Sequence, residues 1–341
     1  MQTKCTAVEK KQLWIFVAVA FGMPVLMGIL MGISFYRGND VSAFPNAQMY
    51  YPAAGVMIAV LLTRKKEEKV PIKFFTGFLV LTAVMAGCAV ASLFKPETQL
   101  ALISQYIIIL GSIVLWLLLW LDKKEVRRKY GLSLGDGQKR RPWLYVLIFL
   151  GLYFLRIFLS YLFEGEPGMF FEMFKSPYTW LNLLVLPLNF FLVYTAFFGE
   201  EYGWRGFFQP MLQKRFGKRA GVLLLGIFWG FWHLPINLFF YSPQTWLQSI
   251  VCQLITCVGI AIFFGYAQMK TCNIWVAVIM HYLNNNLVAV IAGSADVISG
   301  QVIAWRDVLI LLILNCILFV PFIFTKIYGK QEQSAGEAKL Q

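Results

Sequence analysis

Residues 197–210 read FFGEEYGWRGFFQP: two adjacent carboxylates placed at the end of a long apolar run. If this stretch is helical, Glu201 and Arg205 stand four residues apart and form an ion pair. Glu200 lies about 100° away around the same helix, so Arg205 need not neutralise it. One carboxylate then supports structure and the other is left for chemistry. An unpaired carboxylate beside hydrocarbon is costly, which makes Glu200 a functional candidate.

The rest of the 341-residue chain surrounds this stretch with apolar sequence. It is 59% hydrophobic and only 14% charged, with a mean hydropathy of +0.66. Such a composition excludes an ordinary soluble domain and is enough for repeated crossing of a bilayer. The reading is an all-α, polytopic transmembrane helical bundle of about ten membrane segments (eight to ten). The segments fall near 13–35, 49–63, 72–94, 100–121, 143–163, 180–198, 220–240, 247–268, 273–293 and 305–326. The 49–63 run is short and needs Tyr50 and Tyr51 as interfacial anchors, or a partly re-entrant path. Pro24 and Pro187 are expected to kink the first and sixth segments.

The net charge of +13 is not a nucleic-acid signal, because the basic residues cluster between apolar runs. With the N-terminus in the cytoplasm, about 25 of the 30 Lys and Arg residues fall on that side. The outer loops keep Arg37, Lys95, Lys175 and Arg306. This asymmetry places both termini in the cytoplasm of a multi-pass cell-membrane protein, with the lipid bilayer as its first partner and no nucleic acid. On this count 199–219 is a cytoplasmic loop. The chain divides into N-terminal helices (1–142), a helical core (143–328) and a disordered polar tail (329–341). Glu164 to Tyr178 reads as a short interfacial loop. The six cysteines lack a C-x-x-C pair and read as embedded thiols.

The chain has only two histidines, and both lie in apolar segments. His281 and Asn285 share a helix face at i,i+4, flanked by Asn284 and Asn286. Successive amides within hydrocarbon need partners or a protein-lined cavity. His233 and Asn237 have the same spacing, interrupted by Pro235, and Asn237 reads as an interfacial amide. Glu200, His233, His281 and Asn285 thus make four polar groups on three segments. Their chemistry fits amide hydrolysis: a carboxylate and a histidine share general-base work on water, and a histidine and an amide donate to the oxyanion. No G-x-S-x-G, H-E-x-x-H or Walker loop offers another route.

The EEYGWR stretch, Glu200 to Arg205, resembles the E-E-x-x-x-R motif of the CAAX prenyl protease and bacteriocin-processing (CPBP or Abi) family, which includes the type II CAAX prenyl endopeptidases. The family's F-x-x-x-H motif matches at His233, with Trp229 replacing the phenylalanine. Its H-x-x-x-N motif matches His281 to Asn285. The three motifs occur in the family's order across about 90 residues, and no motif matches in 1–142. The resemblance implies a helical intramembrane protease whose site opens toward the cytoplasmic side. It implies that Glu200 and His233 activate water and that His281 and Asn285 form the oxyanion site. Glu201 and Arg205 would hold the geometry, with Trp229 packing beside His233.

The same donors admit a metalloprotease in which Glu200, His233 and His281 ligate zinc. The glutamate-type reading needs no cofactor and suits the His281 and Asn285 donors better. The expected substrate is a peptide or membrane protein, prenylated or not, and the implied roles include bacteriocin processing and self-immunity. The alternative is a non-catalytic membrane scaffold regulating a cell-envelope or signalling protein. A small-solute transporter is disfavoured by the lack of internal symmetry.

Overall fold

A computed structural model of the chain describes residues 6–135, 141–294 and 296–329. The polar tail from 330, part of the 122–142 loop and Cys5 therefore lie outside the described residues. Among the described residues there is no strand. Cys88, Cys252, Cys257, Cys272 and Cys316 are free thiols.

Helix α1 (Ala7–Ala20) starts under a capping box. The Thr6 hydroxyl accepts from the Glu9 amide, and the Glu9 carboxylate accepts from the Thr6 amide. Helix α2 (Gly22–Tyr36) continues it after a break at Phe21. Pro24 explains the break. It has no N–H for the carbonyl four residues earlier, that of Ala20. The Trp232 indole occupies that carbonyl at 2.8 Å. The helix is therefore interrupted one turn before the proline, and an interhelical hydrogen bond satisfies the freed acceptor.

Two short helices follow, α3 (Ala43–Gln48) and α4 (Tyr51–Thr63). At 13 residues α4 is too short for a full span, and most of it is buried inside the bundle. It packs on α1 and on the helix carrying the paired glutamates. Among the described residues, eight helices are long and apolar enough to cross a membrane, or nine when a bent pair is counted as one span. The 49–63 segment is what separates that number from ten.

Helices α5 (Ile72–Phe94), α6 (Leu100–Leu121), α7 (Lys124–Lys129), α8 (Pro142–Glu164) and α9 (Gly168–Glu172) lead to α10 (Pro177–Gly203). Pro187 sits within α10, which runs on without interruption. The expected loop at 199–219 is instead mostly helix. α10 passes through a π-helical turn at Trp204–Phe208 into α11 (Gln209–Phe216), a continuous stretch of 40 residues. The buried Glu201 and Arg205 are tolerated in the interior because they neutralise each other within one turn.

The chain then forms α12 (Lys218–Trp232) and α13 (Leu234–Ile236), bent by 41° at His233. Helices α14 (Trp246–Thr271), α15 (Ile274–Ala292) and α16 (Trp305–Leu318) complete the bundle.

The two ends of the bundle differ. At the basic end, Lys214 pairs with Glu9 at 2.8 Å and Lys129 with Glu68 at 2.7 Å. The Tyr202 hydroxyl donates to the Tyr130 carbonyl at 3.1 Å and the Trp275 indole to the Leu132 carbonyl at 3.2 Å. The 122–135 connection is thereby tied to α10 and α15. Glu68 is held below the ordinary carboxylate range, first by the Lys129 hydrogen bond and then by Tyr130. At the opposite end Lys175 pairs with Glu172, and further bonds go to backbone carbonyls. The Gly300 amide donates to the Phe240 carbonyl at 3.1 Å, the Gln301 amide to the Tyr241 carbonyl at 2.8 Å, and Arg306 to the Phe163 carbonyl at 3.1 Å.

Candidate functional site

Small residues bring the paired glutamates deep into the bundle. A Cβ at Gly199 would strike the Met49 carbonyl, and one at Gly203 would strike Pro52. The start of α4 therefore lies directly on the α10 backbone at this level. Residues of the N-terminal 142 form one wall of the site, although they carry none of the three motifs.

Glu200 and Glu201 are both buried, at 2% and 0% exposure. Glu201 Oε1 accepts from Arg205 Nη1 at 2.9 Å, the pairing expected from the sequence. The same oxygen meets His281 Nδ1 at 2.7 Å, a contact across 80 residues. The Arg205 guanidinium also stacks over the Trp229 ring at 4.2 Å and near Phe264 at 5.1 Å. Glu200 has no cation of this kind. Its Oε2 accepts from the Trp229 indole at 2.8 Å and from the Trp204 indole at 3.3 Å. Neutral donors thus orient Glu200 without cancelling its charge.

His233 sits at the α12 break, and its Nδ1 lies 2.8 Å from the Trp229 carbonyl. A carbonyl only accepts, so Nδ1 carries the proton and Nε2 has a lone pair available. Asn237 is buried and donates to the His233 carbonyl at 2.9 Å. It in turn accepts from Ser249 at 2.6 Å. Asn237 is therefore part of the scaffold around His233 rather than an interfacial amide. Cys257 Sγ lies 4.0 Å from His233 Nδ1.

The four candidate residues converge on one cleft with two lobes. Glu200, His233 and Asn285 line a lobe of about 450 Å³. His233, His281 and Asn285 line the other, of about 350 Å³. His233, Tyr241, Asn285 and Ile298 are common to both and mark where the lobes meet. The lining continues to the exposed Gln105, Ser299 and Gln301. These lie at the end of the bundle opposite the basic clusters, whereas the resemblance implied an opening toward the cytoplasmic side. A larger groove of about 840 Å³ runs beside the cleft, lined by Phe170, Phe171, Phe174 and Trp180 among other apolar residues, and none of the four candidates borders it.

Among the described residues, no three His, Cys, Asp or Glu side chains group as a metal centre. His281 already commits Nδ1 to Glu201, and His233 commits Nδ1 to a carbonyl. Both rings keep Nε2 for a ligand, with Nδ1 held by a carboxylate or a carbonyl as in a metal-bound histidine.

Three contributors were not legible as such in the sequence. Trp204 stands four residues after Glu200, and that spacing was the available signal. Trp229 was read as packing, and its hydrogen bond to Glu200 depends on the α10–α12 approach. The Glu201–His281 contact had no local signal.

Residues 180–287 match the family described as type II CAAX prenyl endopeptidase Rce1-like. The CAAX prenyl protease 2 of Methanococcus maripaludis is 31% identical over 172 residues, covering 48% of this chain. The match spans 61% of the length of that relative. No solved structure matches the chain. Both matches agree with the three motifs, whose residues all lie within 180–287 and line or brace a single cleft. These matches support a CPBP or Rce1-like family for this region of the chain.

Proposed function

We propose that the chain is an intramembrane endopeptidase of the glutamate type. The observation that carries the reading is the contrast at the two adjacent glutamates. Glu201 is neutralised by Arg205, while Glu200 lines the cleft with only indole donors. A carboxylate so placed keeps its basicity for a bound water.

Glu200 and His233 activate that water, with His233 accepting through Nε2. The water attacks the scissile carbonyl and the proton passes to the leaving amine. Asn285 donates its side-chain N–H to the oxyanion. His281 can donate from Nε2 only as the imidazolium, because Nδ1 already faces Glu201; the Glu201 carboxylate lies against that charge. Glu201 and Arg205 act by positioning His281 and Trp229. Every step uses the chain's own groups.

The substrate is a peptide or membrane protein. The relative's name makes a prenylated CAAX peptide one form to test, and bacteriocin processing or self-immunity is a peptide-cleaving role of the same kind. The test is cleavage by purified protein of a CAAX peptide, prenylated and not, and of a membrane-peptide library. Wild type, Glu200→Gln and His233→Ala are compared with and without chelator. Cleavage by wild type alone, unchanged by chelator, is expected. Loss with chelator and recovery with zinc would favour the metalloprotease. A correctly folded wild type that cleaves nothing while Glu200→Gln retains its cellular phenotype would favour a scaffold.

A further inference from the structure

Where the two lobes of the cleft meet, three polar residues line both of them: His233, Asn285 and Tyr241. The first two have work in the proposed hydrolysis. Tyr241 has none, and it belongs to none of the three motifs.

The fold fixes where Tyr241 stands. It ends a π-helical turn, Asn237–Tyr241, that follows the bend at His233. Such wide turns are rare in helices and recur at functional sites. At one end of the turn, Asn237 donates to the His233 carbonyl at 2.9 Å and accepts from Ser249 at 2.6 Å. At the other end, the Gln301 amide donates to the Tyr241 carbonyl at 2.8 Å. The backbone of Tyr241 is thus tied both to the scaffold of His233 and to the segment before α16. Its hydroxyl is near enough to the Glu200 and Cys257 side chains to feel both electrostatically, and these two line different lobes. Among the described residues the hydroxyl makes no hydrogen bond. A tyrosine hydroxyl inside a protein ordinarily finds a partner, so this one has a donor to offer to what enters the cleft.

The oxyanion has use for such a donor. Asn284 donates from Nδ2 to Asn285 Oδ1 at 3.0 Å, which leaves the Asn285 N–H groups for the cleft. His281 donates from Nε2 only as the imidazolium, because its Nδ1 faces Glu201. Asn285 is then the one neutral donor assigned so far. A phenol keeps its proton through the physiological pH range. It adds a second preorganised donor with no change of protonation.

We propose that Tyr241 is a catalytic residue whose hydroxyl, beside the Asn285 amide, donates a hydrogen bond to the oxyanion. The assignment rests on the peptidase reading. As the water oxygen bonds to the scissile carbon, the carbonyl π pair moves onto its oxygen and one water proton passes to Glu200 and His233. On collapse that pair re-forms the C=O bond. The C–N bond then breaks, its electrons stay on nitrogen, and the held proton passes to the leaving amine. Tyr241 keeps its own proton throughout.

The test uses purified full-length protein in detergent, a peptide that the wild type cleaves, and a phosphinic analogue of that peptide. The phosphinate is tetrahedral and anionic, and it reports the oxyanion site without turnover. Tyr241→Phe removes the hydroxyl alone. Its kcat should fall by about 10²-fold or more, with KM within about twofold of wild type and the thermal midpoint unchanged. Its affinity for the phosphinic peptide should fall by about tenfold or more. An unchanged kcat, a rise in KM alone, or undiminished phosphinate binding overturns the assignment and leaves the peptidase reading in place. A lowered thermal midpoint that accounts for the lost activity gives the hydroxyl a structural role and also overturns it. A folded wild type that cleaves no peptide overturns the peptidase reading, and the assignment with it.

Discussion

Glu200 and Glu201 are neighbours in sequence and are buried to nearly the same extent, yet their surroundings are opposite. Glu201 faces a guanidinium and an imidazole. Glu200 faces two indoles and a cleft. Burial alone therefore does not assign a role to an intramembrane carboxylate. What matters is whether its partners cancel its charge or only aim it. Trp229 joins the two sides, since its ring stacks on Arg205 while its N–H reaches Glu200.

The largest expected effect removes the aimed carboxylate. Glu200→Gln keeps the size and the indole partners but removes the base, and kcat should fall by about 10²–10⁴-fold. The thermal midpoint should stay close to wild type, measured by scanning fluorimetry in the same detergent. A variant that retains full turnover would end the contrast drawn between the two glutamates.

Arg205→Met tests the neutralised side. It leaves Glu201 buried beside His281 without the guanidinium, and loss of one partner of a buried pair costs about 3–5 kcal/mol. Lower stability and lower kcat are expected together. Combining Arg205→Met with Glu201→Leu should recover stability, because the stranded charge is gone, without restoring activity, because His281 has lost its brace. Recovery of both would show that the pair is dispensable to the site.

Trp229→Phe separates stacking from aiming. The ring over Arg205 is kept while the 2.8 Å hydrogen bond to Glu200 is lost. A hydrogen bond to a charged group contributes about 1.5–3 kcal/mol. The expected result is a loss of stability of that order and a kcat lowered by about tenfold or somewhat more. Phenylalanine is the residue of the family motif at this position, so retained activity is part of the expectation.

The smallest effect lies at the basic end, far from the cleft. Glu68 is lowered below the ordinary value of 4.5 by Lys129 and Tyr130. Its contribution is therefore present above that value and is lost as pH falls through the lowered one. Because the pair is partly exposed, the effect should be confined to the 122–135 connection. Hydrogen exchange should show this connection loosening in acid, and Glu68→Gln should produce the same loosening at neutral pH without changing turnover.

Much of the bundle follows from local sequence. Long apolar runs have few other ways to satisfy their backbone in lipid, so the helices and their approximate ends were legible. The Glu201–Arg205 pair was legible because four residues of helix bring those side chains together whatever surrounds them. The 49–63 run resisted because its length suits neither a full span nor a loop, and only its packing against α1 and α10 gives it a place. The 199–219 stretch misled because its charges resemble those of a cytoplasmic loop. Arg205 is in fact buried against Glu201, and only Lys214, Arg215, Lys218 and Arg219 mark the membrane boundary.

The sequence alone determined an all-helical membrane bundle, a sided distribution of basic residues, and four polar groups in the order of a known set of motifs. These depend on hydropathy and on intrahelical spacing, which are set residue by residue. The tertiary structure decided that His281 leans on Glu201, that two indoles aim Glu200, that the N-terminal helices wall the site, and that the cleft opens away from the basic end. Each of these depends on how deep one helix sits and how it is rotated against another. Interhelical packing sets that rotation and depth, at contacts such as Gly199 on Met49, and no local periodicity encodes them.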